Sequence, residues 1–388
     1  MSRPLILTVA MFGLSVSQAA QPPAVRPAGV VARNPIDLAR PAETIVLAAA
    51  DIQRVLVVDD IRKVHVVDEA SGQEVLAQAI DLNDDGTFDQ LVFQADFGPR
   101  QRRSFGLVAG ERHVYTRDQF RAYGRFVRER RDDFAWENDR VAHRMYGAAL
   151  ETWAQEPLTS SGVDVWVKRT RRLVINDWYM VDNYHRDHGE GADLYSVGKS
   201  RGCGGSGIWA DGKLFVSKNF RGSRVLANGP IRVMFELEYE RWPAGGGTVS
   251  EVKRITLDAG QNLDRFESVY TMASPGAFQH AAGIKKTTAA QVAFVKDAGT
   301  LRTWEPVKEA GFLGCGVVLN PAQIAGTAEA DGNTLVTTGI PPAGPVVYYA
   351  GFGWDRSGDF ATMADWDRYL DQFARRLRSP IEIAVAAR

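Results

Sequence analysis

Ile231-Arg232-Val233-Met234-Phe235-Glu236-Leu237-Glu238-Tyr239-Glu240 is the stretch on which the fold turns. Odd positions are apolar and even positions charged, Met234 excepted. A period of two marks a strand with one face on a core and the other in water. Val163-Asp164-Val165-Trp166-Val167-Lys168 alternates in the same way. Upstream, Ile45–Leu47, Val55–Val58, Val64–Val67 and Leu91–Phe93 are β-prone runs, and Asp68–Gly72 reads as a hairpin loop. The spacing predicts a mainly β protein: a small antiparallel β-sandwich over residues 30–110, then a larger β-rich region over residues 111–388. A single helix is expected from about Ala364 to Leu377, where Trp366, Tyr369, Leu370, Phe373 and Leu377 recur at helical spacing before Pro380.

The first residues read as an address. A short cationic start at Arg3, an apolar run from Pro4 to Val16 and the small-residue end Ser17-Gln18-Ala19 make the signal-peptide pattern over residues 1–19. Periplasmic or secreted localisation is therefore expected. Residues 20–29, with Gln21-Pro22-Pro23 and Pro27, form a Pro-rich lead-in. Membrane insertion is not expected, because no later stretch is long and apolar enough. A net charge of −1 argues against nucleic acid as a partner. Charge is nevertheless unevenly spread: from Arg112 to Arg144 there are nine Arg, six acidic residues and no Lys, a composition suited to holding carboxylates or sulfates. On charge alone a solvated surface with internal ion pairs is the plainer reading. The two cysteines, Cys203 and Cys315, either bridge or remain two buried thiols.

Three constellations carry chemistry. Asp81-Leu82-Asn83-Asp84-Asp85-Gly86-Thr87-Phe88-Asp89 places oxygen ligands at Asp81, Asn83, Asp85 and Asp89, a loop that can wrap a structural calcium. Its twelfth position is Val92 rather than Glu, and a metal-free hairpin fits too. Next, a strand through Arg140–Tyr146 would put Arg140, Ala142, Arg144 and Tyr146 on one face, at once cationic and aromatic; buried Arg–carboxylate pairs stitching a sheet explain it as well. The third is Trp178–Tyr195, in which Tyr184, His185, Asp187, His188 and Glu190 crowd a glycine-punctuated loop. Imidazole titrates near neutrality and a phenol can donate a proton, so acid–base catalysis is available. The two histidines match no strong zinc spacing. Lys199–Gly207 follows, rich enough in glycine to admit a ligand close to backbone. A dinucleotide site is not expected there, and neither G-x-S-x-G nor H-E-x-x-H occurs.

Taken together, Asp132–Asp139 with Arg144-Met145-Tyr146-Gly147, Asp164-Val165-Trp166, Tyr184-His185 with Asp187–Gly191, Asn228–Arg232, and Gly353-Trp354-Asp355 with Ser357-Gly358 resemble a bacterial carbohydrate-associated family known as domain of unknown function 4861. The resemblance runs through nearly all of the chain beyond the leader. It implies a large domain similar to the galactose-mutarotase-like β-supersandwich, and a partner in acidic oligosaccharide or polysaccharide fragments. Some similar proteins act on uronate-ended oligosaccharides by elimination. On that reading Arg140 or Arg144 neutralises the uronate carboxylate, His185 or His188 takes the C5 proton and Tyr184 protonates the oxygen leaving C4. Trp136 and Trp354 are stacking platforms, while Glu137, Tyr146, Asp187, Glu190 and Lys199 complete the binding surface. The enzyme would be a lyase or a dehydratase and need no cofactor. A glycoside hydrolase using Glu137, Asp187 or Glu190, or a non-catalytic glycan-binding protein, are the alternatives.

Overall fold

A computed structural model describes residues 28–181, 183–272, 278–341 and 343–387. The expected leader, and all of the lead-in before Ala28, lie outside the described residues. The molecule is mainly β. Its named strands pair antiparallel into one eight-stranded, three five-stranded and one three-stranded sheet.

The first sandwich packs the strands Arg40–Ala48, Gln90–Phe97 and Ala77–Ile80 against a five-stranded sheet. That second sheet contains Ala28–Arg33, Arg102–Ala109, Val64–Asp68 and Glu74–Val75. Val30, Ile45, Phe93, Phe105 and Leu107 form its core. Two features differ from the sequence expectation. Ala28 and Gly29 already belong to the opening strand rather than to a lead-in. The fifth strand comes from the other end of the chain: Glu382–Ala387 pairs with Ala28–Arg33, Ala28 opposite Ala387.

The alternating stretch at 231–240 lies within a long strand, Arg232–Ala244. This strand belongs to the eight-stranded sheet, between Gly222–Ala227 and Gly247–Asp258. Its apolar residues Val233, Phe235, Leu237 and Tyr239 enter the main core. A second sheet contributes the strand Cys203–Ala210, and the buried Cys203 and Cys315 are joined by a disulfide, with Cα atoms 5.4 Å apart. Glycine in this strand permits close packing: a Cβ on Gly204 would lie 2.2 Å from the Ala350 side chain. The expected helix spans Met363–Arg378, closed at its start by a capping box between Thr362 and Asp365, with Trp366, Leu370 and Phe373 buried. Two shorter helices, Ala49–Val55 and Ile175–Tyr179, were not visible as periodicity. No helix among the described residues is long and apolar enough to cross a membrane.

The third sheet of the large region runs Gly191–Ala192, Asp164–Lys168, Ala142–Met145, Asp133–Asn138 and Ala122–Val127. Its central strands are buried on both faces, so the alternation at 163–168 does not mark a wet face. The polar residues that alternate there, Asp164 and Lys168, are held inside by ion pairs.

Candidate functional site

Arg144 is the centre of the buried polar network. Its Nε donates to Asp164 Oδ2 at 2.7 Å and its Nη2 to Asp193 Oδ2 at 2.7 Å, while Nη1 lies 3.5 Å from Asp133 Oδ2. Three carboxylates thus surround one guanidinium whose side chain is 5% exposed. Neighbouring like charges and burial favour the neutral carboxyl. Burial accordingly raises Asp133 to about 7 and Asp193 well above the usual range, against the pull of Arg144. Tyr146 donates its hydroxyl to Asp164 at 2.8 Å, which orients that carboxylate.

The loop between the strands ending at Lys168 and starting at Gly191 brings Tyr184 and His185 to this centre. Asp193 N donates to Tyr184 O at 3.0 Å, closing the loop. Asp187 Oδ1 accepts from Gly189 N and Gly191 N at 2.8 and 3.1 Å. Gly191 has φ 122° and a Cβ there would sit 1.9 Å from Val167 O, so only glycine lets the loop dock. The Tyr184 ring then lies on Trp166, centroids 5.2 Å apart at 27°. Its hydroxyl oxygen accepts from both Arg130 Nε and Arg144 Nη1, the latter at 3.0 Å. A hydroxyl that accepts twice keeps one proton to donate elsewhere.

His185 lies beside Tyr184, the two rings tilted at 36° with centroids 4.5 Å apart. Its Nδ1 lies 3.1 Å from Asp193 O and 3.2 Å from Asp193 Oδ2. A carbonyl oxygen can only accept, so Nδ1 carries the hydrogen and Nε2 is left as the basic nitrogen. Burial holds this imidazole below its ordinary pKa; the Arg144 charge acts in the same sense, while the Asp193 backbone opposes it. A cavity of about 480 Å³ opens beside the loop, lined by Trp178, Tyr184, Arg186 and His188 among others.

The residues expected from sequence therefore separate. Arg144, Tyr184 and His185 come together, and His188 lines the same cavity as Tyr184. Arg144 is not open to a substrate carboxylate, because the protein's own carboxylates occupy it. Arg140 pairs with Asp359 elsewhere. Trp136 and Trp354 cannot be stacking platforms: both are fully buried, with Nε1 donating to Asp264 and to Ala310 O, each at 2.7 Å. Glu137 is buried against Lys168 Nζ at 2.7 Å and caps the helix Ile175–Tyr179 by accepting from the Val174 and Ile175 amides. Tyr146 is buried and bonded to Asp164. Asp187 pairs with Arg169, and Glu190 with Arg172, whereas Lys199 is exposed on a turn and does not line the cavity. Sequence reasoning missed Arg130, Asp133, Asp164, Trp166 and Asp193 as members of the site, although the last four lie inside stretches it quoted and Arg130 just before one.

In the 81–89 loop, Asp81 accepts from the Asn83, Asp84 and Gly86 amides, Asp85 Oδ1 from Thr87 N and Asp89 Oδ2 from Leu82 N. These bonds hold the loop shape that the spacing predicts.

A family model described as domain of unknown function (DUF4861) matches residues 32–383. The "Uncharacterized protein P7" of Formosa agariphila is 33% identical over 372 residues, covering 92% of this chain and 93% of that protein. An alpha-mannosidase from Enterococcus faecalis V583 superposes with a TM-score of 0.50 at 11% identity, covering 93% of this chain and 46% of its own. A glycosyl hydrolase family 38 protein from Enterococcus faecalis gives a TM-score of 0.53 at 10% identity, with 93% and 48% covered. The chain spans about half the length of these two structures, and at such identity the likeness is one of fold. By the extent of the family match and by its relative in Formosa agariphila, the chain belongs to the DUF4861 family.

Proposed function

We propose that this protein is an exported, periplasmic or secreted enzyme acting on uronate-containing oligosaccharides by β-elimination. The observation that carries the reading is the Tyr184 hydroxyl, held as acceptor by two guanidinium groups at the edge of a cavity, with a neutral imidazole beside it. The fold shared with a mannosidase and a family 38 glycosyl hydrolase supports a carbohydrate as substrate by analogy only.

In the reaction, the uronate carboxylate is neutralised by cations at the cavity. Arg186 lines it, and Arg130 touches Tyr184 there and has a buried Nη1 without a partner. Neutralisation acidifies C5–H and stabilises the enediolate-like state. His185 Nε2 takes the C5 proton, the C4–O bond breaks as C4=C5 forms, and Tyr184 gives its proton to the departing oxygen. A sugar on that oxygen makes the enzyme a lyase, and a hydroxyl makes it a dehydratase. Hydrolysis has less support, since Glu137, Asp187 and Glu190 are all committed to ion pairs.

Incubating the protein with a panel of uronate-ended oligosaccharides tests this. Ultraviolet absorbance from an unsaturated uronate is expected. New reducing ends without absorbance would overturn elimination in favour of hydrolysis, and binding with neither product would leave a glycan-binding protein.

A further inference from the structure

Away from the cavity, the first sandwich carries a second cluster of potential ligands. His65, Glu74 and His113 each present one donor atom, all within 4.8 Å of one another. Val67 pairs with Glu74 across two strands, so His65, two residues back on the same face, lies diagonally opposite that carboxylate. His113 comes from the segment that leaves the sandwich for the large region.

The two rings are oriented alike by backbone. His65 Nε2 lies 2.9 Å from Glu111 O, and His113 Nε2 lies 2.9 Å from Val64 O. A carbonyl oxygen only accepts, so both Nε2 atoms carry hydrogen. This leaves both Nδ1 atoms for the third member: His65 Nδ1 is 2.6 Å and His113 Nδ1 4.0 Å from the same Glu74 Oε1. An imidazole whose other N–H is fixed by a carbonyl is the usual outer support of a metal ligand. The rings are packed into place as well. Their centroids are 4.2 Å apart, and His113 stacks in turn on Tyr115 at 6°. A Cβ on Gly110 would lie 2.7 Å from His65 Cδ2, so glycine is needed where that ring rests.

We propose that His65 Nδ1, His113 Nδ1 and Glu74 Oε1 bind a divalent transition-metal ion of the zinc class, with water completing the coordination. Two imidazoles and one carboxylate are a borderline-soft donor set that suits zinc better than calcium or magnesium. In a tetrahedral site with bonds near 2.0–2.1 Å, ligand atoms lie about 3.3 Å apart. That value falls between the two separations found here, so small side-chain movements close the triangle. Glu74 and the rings are partly exposed, which leaves a path for the ion and for solvent ligands. The bound metal staples the strands at 65 and 74 to the outgoing segment at 113, fixing how the first sandwich hands the chain to the rest.

The test is isothermal titration of the tag-free, chelator-stripped protein with zinc chloride, alongside the absorption spectrum of the cobalt(II) form. One strong site is expected. His113→Asn and Glu74→Gln are each expected to weaken it by at least about tenfold, with far-ultraviolet circular dichroism unchanged. His185→Ala combined with His188→Ala, which removes the other accessible histidines, is expected to leave it intact. Absence of binding, or binding lost with His185 and His188 but not with His113, would overturn the proposal. So would a spectrum without d–d bands, since the cluster is then only an ion pair between His65 and Glu74. Should His113→Asn fail to fold, Glu74→Gln decides alone, because Glu74 is exposed at a strand edge.

Discussion

Tyr184→Phe separates catalysis from stability, because the structure assigns very different magnitudes to the two. The substitution deletes one oxygen and keeps the ring against Trp166. Arg144 retains Asp133, Asp164 and Asp193, and Arg130 retains Glu156. The lost hydrogen bonds lie at a partly exposed position where water can replace the hydroxyl. The cost to folding is therefore about 1 kcal/mol. Loss of a positioned proton donor lowers the rate of elimination by about 10²–10⁴-fold, or roughly 3–5 kcal/mol at about 1.36 kcal/mol per tenfold. A folding defect of about 1 kcal/mol in a protein of ordinary stability leaves nearly every molecule native at room temperature, so it cannot imitate that loss. The assay pairs initial rates of unsaturated-uronate formation at neutral pH with a urea unfolding curve. A folded variant with the full rate would refute Tyr184 as proton donor. A variant that loses rate and most of its stability together would refute the estimate that the hydroxyl contributes little to the fold.

Four further outcomes are expected. Arg144→Met strips the shared cation from three buried carboxylates and should destabilise the protein by about 3–5 kcal/mol in denaturant unfolding; a change below about 1 kcal/mol would mean that the carboxyls simply take up protons. Asp133, near pKa 7 when folded and about 3.9 when unfolded, binds its proton more tightly in the native state. Its contribution is fully present below about pH 4 and lost as pH rises through about 7, so Asp133→Asn should gain relative to wild type between those limits, and parallel stability profiles would contradict this. The rate of elimination should fall on acidification, but only at a pH below the ordinary imidazole range, because burial holds His185 below its usual pKa; a rate that rises there would exclude His185 as base. Calcium at Asp81, Asn83, Asp85 and Asp89 should raise the melting temperature over that in chelator, and superposable melts would remove the ion from the loop.

The strand at 232–244 and the helix at 363–378 were legible because each shows its period along one continuous stretch. Helix periodicity did not predict the five-residue helix at 175–179, whose start is fixed by Glu137 from a distant strand. An aromatic residue carries no sequence sign of whether its ring faces core or solvent, which is why Trp136 and Trp354 were misplaced as platforms. The composition of the Tyr184–Glu190 loop did draw attention to the right neighbourhood. What it could not convey was that Asp193 and Arg144, 49 residues apart, would meet, or that Asp187 and Glu190 would be spent on Arg169 and Arg172. The cluster at His65, Glu74 and His113 is dispersed along the chain in the same way and becomes visible only when strands pair.

The pairing of Ala28–Arg33 with Glu382–Ala387 makes the last residues a structural partner of the first described ones. Such a seam closes a loop of almost the whole chain, and because closure entropy grows only logarithmically, its equilibrium cost is modest. Its kinetic meaning is larger. The five-stranded sheet of the first sandwich stays one edge strand short until residues 382–387, distant in sequence, pair with Ala28–Arg33. An unfinished sheet with an open edge recruits strands from other molecules. Removal of residues 382–387 should therefore show itself as aggregation during refolding before it shows itself as lost activity. Ala28 and Ala387 also lie side by side, so a short linker joining these two residues would allow the chain to be reopened at a surface loop, with the seam converted into an ordinary hairpin.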